Sequence, residues 1–212
     1  KTARVHEAAE PPSEPAVFDQ ETCVFLSHVF PIVVGQPMVI KNSDPVGHNT
    51  NISGKNSFNQ TIAANESTTT GVQKEEALPV SVTCSIHPWM KAYMLPRDNG
   101  YVAVTKEDGT FEIQNLPAGE PLEFQVWHES AAGANQALVI DTPETKDLGW
   151  SKKGRFKITL EENETRELNV AAPPNAFTGG TATARRVVSG SAISVSSCSN
   201  DMRSRRLHAK RT

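Results

Sequence analysis

Residues 81–94, SVTCSIHPWMKAYM, set a thiol (Cys84), an imidazole (His87) and two thioethers (Met90, Met94) close together in a chain with only three cysteines and four methionines. The spacing Cys-x2-His-x2-Met lets one loop between two strands supply three ligands. Soft sulfur favours Cu(I) and imidazole still accommodates Cu(II), so two imidazoles, one thiolate and a weak, long axial thioether form a trigonal site suited to copper that changes oxidation state. The second imidazole must come from elsewhere. His48, in the polar stretch KNSDPVGHNT after the strand-like MVIK, is the candidate.

The elements that would carry these groups read as strands. CVFLSHVFPIVVGQPMVIKNSDP holds β-branched and aromatic runs broken by Gly35-Gln36-Pro37 and Asn42-Ser43-Asp44-Pro45, which fits two or three strands joined by turns. SFNQTIAANESTTTGVQ and ALPVSVTCSIH continue in short Val-, Thr- and Ile-rich runs, with no helical apolar period. Farther on, YVAVT and TFEI flank the turn signal Glu107-Asp108-Gly109, and Asn115-Leu116-Pro117-Ala118-Gly119 leads into LEFQVWH, a pattern that predicts a β-meander. GRFKITLEENETRELNV predicts one more hairpin, around Glu162-Asn163.

CSIHPWM resembles the ligand loop of amicyanin, a small blue-copper cupredoxin, and NSDPVGHN resembles the upstream His-Asn loop of plastocyanins and amicyanins. The resemblance covers roughly residues 17–98. It implies a Greek-key cupredoxin β-sandwich with His48, Cys84, His87 and Met90 as copper ligands. It also implies that Asn49 ties the two loops together, and that Pro88 and Trp89 form an apolar rim beside His87 through which electrons pass. Thr105, Asp108, Gly109, Phe111, Leu116, Pro117 and Gly119 match a second pattern, that of the carboxypeptidase-regulatory-like or transthyretin-like sandwich. In that family the motif is architectural: the glycines permit the turns and the phenylalanine fills the core.

Several other readings of the same residues stand beside these. Against the ligand reading, Cys84 also reads as an ordinary buried thiol, or as the partner of Cys23 in a disulfide that would destroy the copper site. Met94, in Tyr93-Met94-Leu95, competes with Met90 as axial ligand but reads as a core residue of a strand. His28, in FLSHVF, alternates with apolar neighbours and reads as a structural histidine that could join the site. His128 ends a strand as a surface group. NIS at 51, NQT at 59, NES at 65 and NET at 163 match the glycosylation acceptor pattern, a short pattern that recurs by chance.

Composition bounds the rest. At 212 residues and 37% hydrophobic, the chain supports one large or two small β domains. No apolar run reaches membrane-spanning length. Three cysteines preclude a disulfide framework as the main stabiliser. Up to residue 170 there are 14 Lys+Arg against 23 Asp+Glu, a net −9, and beyond it 7 against 1, a net +6. An acidic body of this kind does not suit nucleic acid. No hydrolase, metalloprotease or phosphate-loop motif occurs, so the chain is not expected to be an enzyme.

The resulting expectation is an all-β chain in four parts: an extended arm (1–16), a cupredoxin-like domain (17–98), a smaller antiparallel transthyretin-like sandwich segment (99–170) and a disordered Ser/Arg-rich basic tail (171–212). It would carry single electrons on one type 1 copper. Its partner would be a redox protein such as a c-type cytochrome or a periplasmic oxidoreductase. The chain opens at Lys1 without an apolar leader, so the exported, for example periplasmic, location expected for it requires either a removed leader or a longer parent chain. A metal-free two-sandwich scaffold or a Cu(I) storage or delivery protein are the alternatives.

Overall fold

The computed structural model describes residues 10–140, 143, 145–168 and 172–178, together with the backbone of 192–196 and 206–209. Among the described residues the chain is all-β apart from short 3-10 turns, and it divides into two compact units, the first spanning Glu10–Gly100 and the second beginning at Tyr101. Among the described residues no helix is long and apolar enough to cross a membrane. Most of the tail expected to be disordered, including Cys198, lies outside the described residues, as do residues 1–9 of the expected arm.

The first unit contains β1 (Ala16–Glu21), β2 (Val24–Phe25), β3 (Val29–Val33), β4 (Pro37–Asn42), β5 (His48–Ile52), β6 (Phe58–Ile62), β7 (Ser67–Gly71), β8 (Val80–Thr83) and β9 (Lys91–Arg97). They form two sheets, ordered β2-β1-β4-β7 and β3-β9-β8-β5-β6. β1 runs parallel to β4 and β3 parallel to β9; the remaining pairs are antiparallel. Alternation dictates what each sheet buries: along β4, Met38, Ile40 and Asn42 point inward while Pro37 and Lys41 are exposed. Phe18, Met38 and Ile40 of one sheet share a core with Phe30, Ile52, Val82, Ala92 and Met94 of the other. The Phe18 and Phe30 rings meet edge to face across it at 5.2 Å. The unit is therefore a β-sandwich.

The second unit contains β10 (Val102–Val104), β11 (Phe111–Gln114), β12 (Pro121–Trp127), β13 (Arg155–Thr159), β14 (Thr165–Glu167), β15 (Ala192–Ser196) and β16 (Arg206–Ala209). Its sheets are ordered β10-β15-β12-β13 and β11-β16-β14 around a core that includes Phe111, Leu116, Leu122, Phe124 and Phe156. Gly109 and Gly119 take positive φ (82° and 73°) at the two turns the sequence marks, a conformation that costs a glycine nothing.

The expected meander is not what these turns produce. β10, β11 and β12 do not pair with one another: β10 and β12 both pair with β15, and β11 pairs with β16. β13 and β14, the expected hairpin around Glu162-Asn163, likewise enter different sheets, and β14 runs parallel to β16. A turn signal fixes where the chain reverses, but the strands that leave it here step across the sandwich instead of lying side by side.

Candidate metal centre

Register brings the two chemical stretches of the sequence together. Asn51 of β5 pairs with Thr83 of β8, and Thr83 pairs with Lys91 of β9. The start of β5 and the end of β8 therefore share one end of the sheet, and residues 84–90 form a connection whose two ends are fixed by pairing. Within that connection the Met90 carbonyl accepts from Cys84 N at 3.3 Å and the His87 carbonyl accepts from Met90 N at 2.9 Å.

His48, expected on a loop, is the first residue of β5 and fully buried. The loop before it is built by Asn42. The Asn42 Nδ2 donates to the carbonyls of Val46 (2.8 Å), Ala63 (3.0 Å) and Ile62 (3.1 Å), and its Oδ1 accepts from Asp44 N at 3.0 Å. This turns the Asp44 carboxylate toward three donors: Thr22 N (2.7 Å), Cys23 N (2.8 Å) and His48 Nε2 (2.6 Å). Burial alone would raise the pKa of Asp44. The hydrogen bonds from Cys23 N, His48 and Thr22 N outweigh it and hold the carboxyl below the usual range.

That carboxylate assigns the tautomer. With Nε2–H donated to Asp44, His48 keeps its Nδ1 lone pair, which faces His87 Nδ1 at 2.9 Å. Cys84 Sγ lies 3.9 Å from His87 Nδ1 and accepts from Asn49 N at 3.3 Å and His87 N at 3.4 Å. Two backbone N–H donors thus hold this sulfur in place. Asn49 ties the stretches together: its Oδ1 accepts from Ser85 N at 3.2 Å and its Nδ2 donates to Asn59 Oδ1 at 2.9 Å. Ring nitrogens and sulfur converging in this way form a donor set that fits copper.

The remaining expected residues fall around this point. Met90 is buried where the 84–90 connection meets β9. Met94 is also buried, on β9 opposite Phe30 and Val80 in the core. Pro88 and Trp89 are exposed, and the Trp89 ring sits 5.1 Å from that of His87. His28 is exposed, its ring edge-on to Tyr93 at 5.7 Å. His128, in the second unit, is half-buried and packs edge-on to Phe177 at 5.1 Å. Cys23 and Cys84 are both free thiols.

Two contributors were not singled out from the sequence. Asp44 reads there only as a turn residue. Cys23 reads as a possible disulfide partner, yet its Sγ and one ring nitrogen each of His48 and His87 all lie within 4.8 Å of one another. Thr22 and Cys23 form the two-residue turn between β1 and β2, and both have φ of 54°. Asn-Gly is the comfortable sequence for such a turn, and a left-handed non-glycine residue costs about 1–3 kcal/mol. A shallow cavity in the second unit, lined by Ala132, Gly133, Ala137, Val139, Pro173, Asn175 and Ala176, offers no acid, imidazole or thiol to rival this site.

No protein-family model matches the sequence, and no curated protein matches it. Solved structures similar to the chain include a Cu-containing nitrite reductase (NirK) from Thermus scotoductus SA-01, 21% identical, with 40% of this chain and 22% of that chain covered and a TM-score of 0.37. Another is amicyanin from Paracoccus versutus, 18% identical, with 44% of this chain and 90% of that chain covered and a TM-score of 0.35.

Proposed function

We propose that the first unit binds one copper ion through His48, Cys84 and His87, with Met90 as a weak axial ligand, and that the chain is an electron carrier and not an enzyme. The observation that carries this is the pair of ring nitrogens facing each other at 2.9 Å beside a sulfur that accepts two backbone N–H groups. Copper bound there supplies a one-electron couple between Cu(I) and Cu(II). The protein's part is to keep the ligands still. Asp44 fixes the His48 ring and its tautomer, Asn49 locks the Cys84 loop to β5, and the N–H groups of Asn49 and His87 draw charge from the sulfur and so tune the potential. Ligands held this way move little between oxidation states, which keeps reorganisation small.

His87 is half-buried whereas His48 is sealed inside, so His87 is the electron port. Of the six exposed large hydrophobic side chains among the described residues, five (Val24, Leu26, Val46, Ile86 and Trp89) lie within three residues of Cys23, His48 or His87 along the chain. Such a concentration of exposed apolar groups suits transient docking of a redox protein, such as a c-type cytochrome or periplasmic oxidoreductase. An exported compartment is the proposed location, tested by fractionation of the source cells. The second unit, proposed as transthyretin-like, serves as a structural module.

Titration of the purified chain with Cu(II) tests the reading. One equivalent should produce strong visible sulfur-to-copper absorption that bleaches on reduction and falls sharply in Cys84→Ser. A colourless protein that binds only Cu(I) would indicate storage or delivery, and no binding at all would leave a metal-free scaffold.

A further inference from the structure

We infer that Cys23 is a second sulfur ligand of this centre, so that the ion sits among two thiolates and two imidazoles: Cys23, Cys84, His48 and His87. The inference rests on the copper reading above and adds to it a ligand from the opposite sheet.

Three observations converge on it. The Cys23 sulfur and one ring nitrogen each of His48 and His87 lie within 4.8 Å of one another, while Cys84 Sγ is 3.9 Å from His87 Nδ1. Cys84 stands outside that group of three and reaches it through His87, so the two sulfurs border the same imidazole. The Cys23 backbone is held from three sides in a conformation that glycine would take more easily: the Asp44 carboxylate accepts from Thr22 N and Cys23 N, and the Cys23 carbonyl accepts from Trp89 Nε1 at 3.0 Å. A turn pinned this firmly in a conformation that favours glycine, yet carrying a half-buried thiol beside two imidazoles, indicates that the thiol is used. Finally, the carboxylate that holds this turn is the one that orients His48, so a single group positions two of the four ligands.

A second thiolate changes what the site prefers. Two thiolates and two imidazoles suit soft ions in tetrahedral surroundings. The added negative charge beside the ion stabilises Cu(II) relative to Cu(I), which lowers the reduction potential below that of a one-thiolate centre.

Cobalt(II) counts thiolates without oxidising them. In anaerobic titrations of the full chain, sulfur-to-cobalt absorption per bound ion should be about twice that of Cys23→Ser or of Cys84→Ser, one thiolate of two being lost in each. Cys23→Gly, which removes the thiol and relieves the turn, should show the same halving with no loss of thermal stability, so misfolding would not account for the change. In the copper-loaded protein, Cys23→Ser should raise the reduction potential. Equal absorption in the unmodified chain and Cys23→Ser, with an unchanged potential, would make Cys23 a bystander while leaving the copper centre intact. Failure of the unmodified chain to bind either cobalt or copper would instead remove the centre itself, and the inference with it.

Discussion

Asp44 is the residue on which the geometry of the centre depends most, because one carboxylate receives a histidine ring and two backbone N–H groups. Asp44→Asn keeps the shape but replaces one acceptor oxygen with a donor, leaving a buried N–H or the His48 ring unmatched. We expect copper affinity to fall about 10–100-fold, the usual cost of losing a partner that orients a ligand. The apo protein should lose about 1–3 kcal/mol of stability. Competition titration and denaturant melts measure the two effects separately. The thioethers divide differently. Met90 and Met94 are both fully buried, so replacing either with Leu should cost under about 1.5 kcal/mol. Met90→Leu should nonetheless keep the metal and shift its reduction potential, whereas Met94→Leu should leave the potential where it was. Voltammetry giving the reverse result would reassign the axial ligand.

Between strands, the parallel pairing of β1 with β4 sets Asp19 directly opposite Lys41. Burial would raise the pKa of Asp19, but Lys41 Nζ at 3.0 Å, Ser43 Oγ at 2.9 Å and Gln20 N at 2.8 Å all donate to its carboxylate and hold it below its ordinary 3.8. A carboxyl depressed in the folded state stabilises above its unfolded pKa, and that contribution disappears as pH falls through the folded value. Asp19→Asn should therefore cost about 0.5–1 kcal/mol at neutral pH, as a largely exposed lysine partner allows. Melting curves of the two proteins should converge well below pH 3.8. The same scale explains what could be read without coordinates. The approach of Cys84 to His87 is legible because their spacing is local, and the inward alternation of Met38 and Ile40 is legible because a strand repeats every two residues. The partners of β10 and β11 are not, because β15 and β16 come from a stretch whose composition carries no strand pattern. Cys23 is not legible either: only the fold of β1 against β4, which sets its turn beside Asp44, brings it to the imidazoles.

Over the whole chain, each unit encloses its own core, and every proposed ligand, from Cys23 to Met90, belongs to the first. A ligand that binds only the folded form of one unit stabilises that unit alone, by about 2.7 kcal/mol when present at a hundred times its dissociation constant. For a unit of this size such a gain raises the melting temperature by roughly 10–20 °C. Scanning calorimetry of the full chain should accordingly resolve two transitions, with copper moving one upward by that amount and leaving the other in place. In Cys84→Ser the upward shift should shrink sharply, and the second transition should again stay where it was. A single transition that moves as a whole would mean that the two units unfold as one, and that copper held in the first is felt by the second.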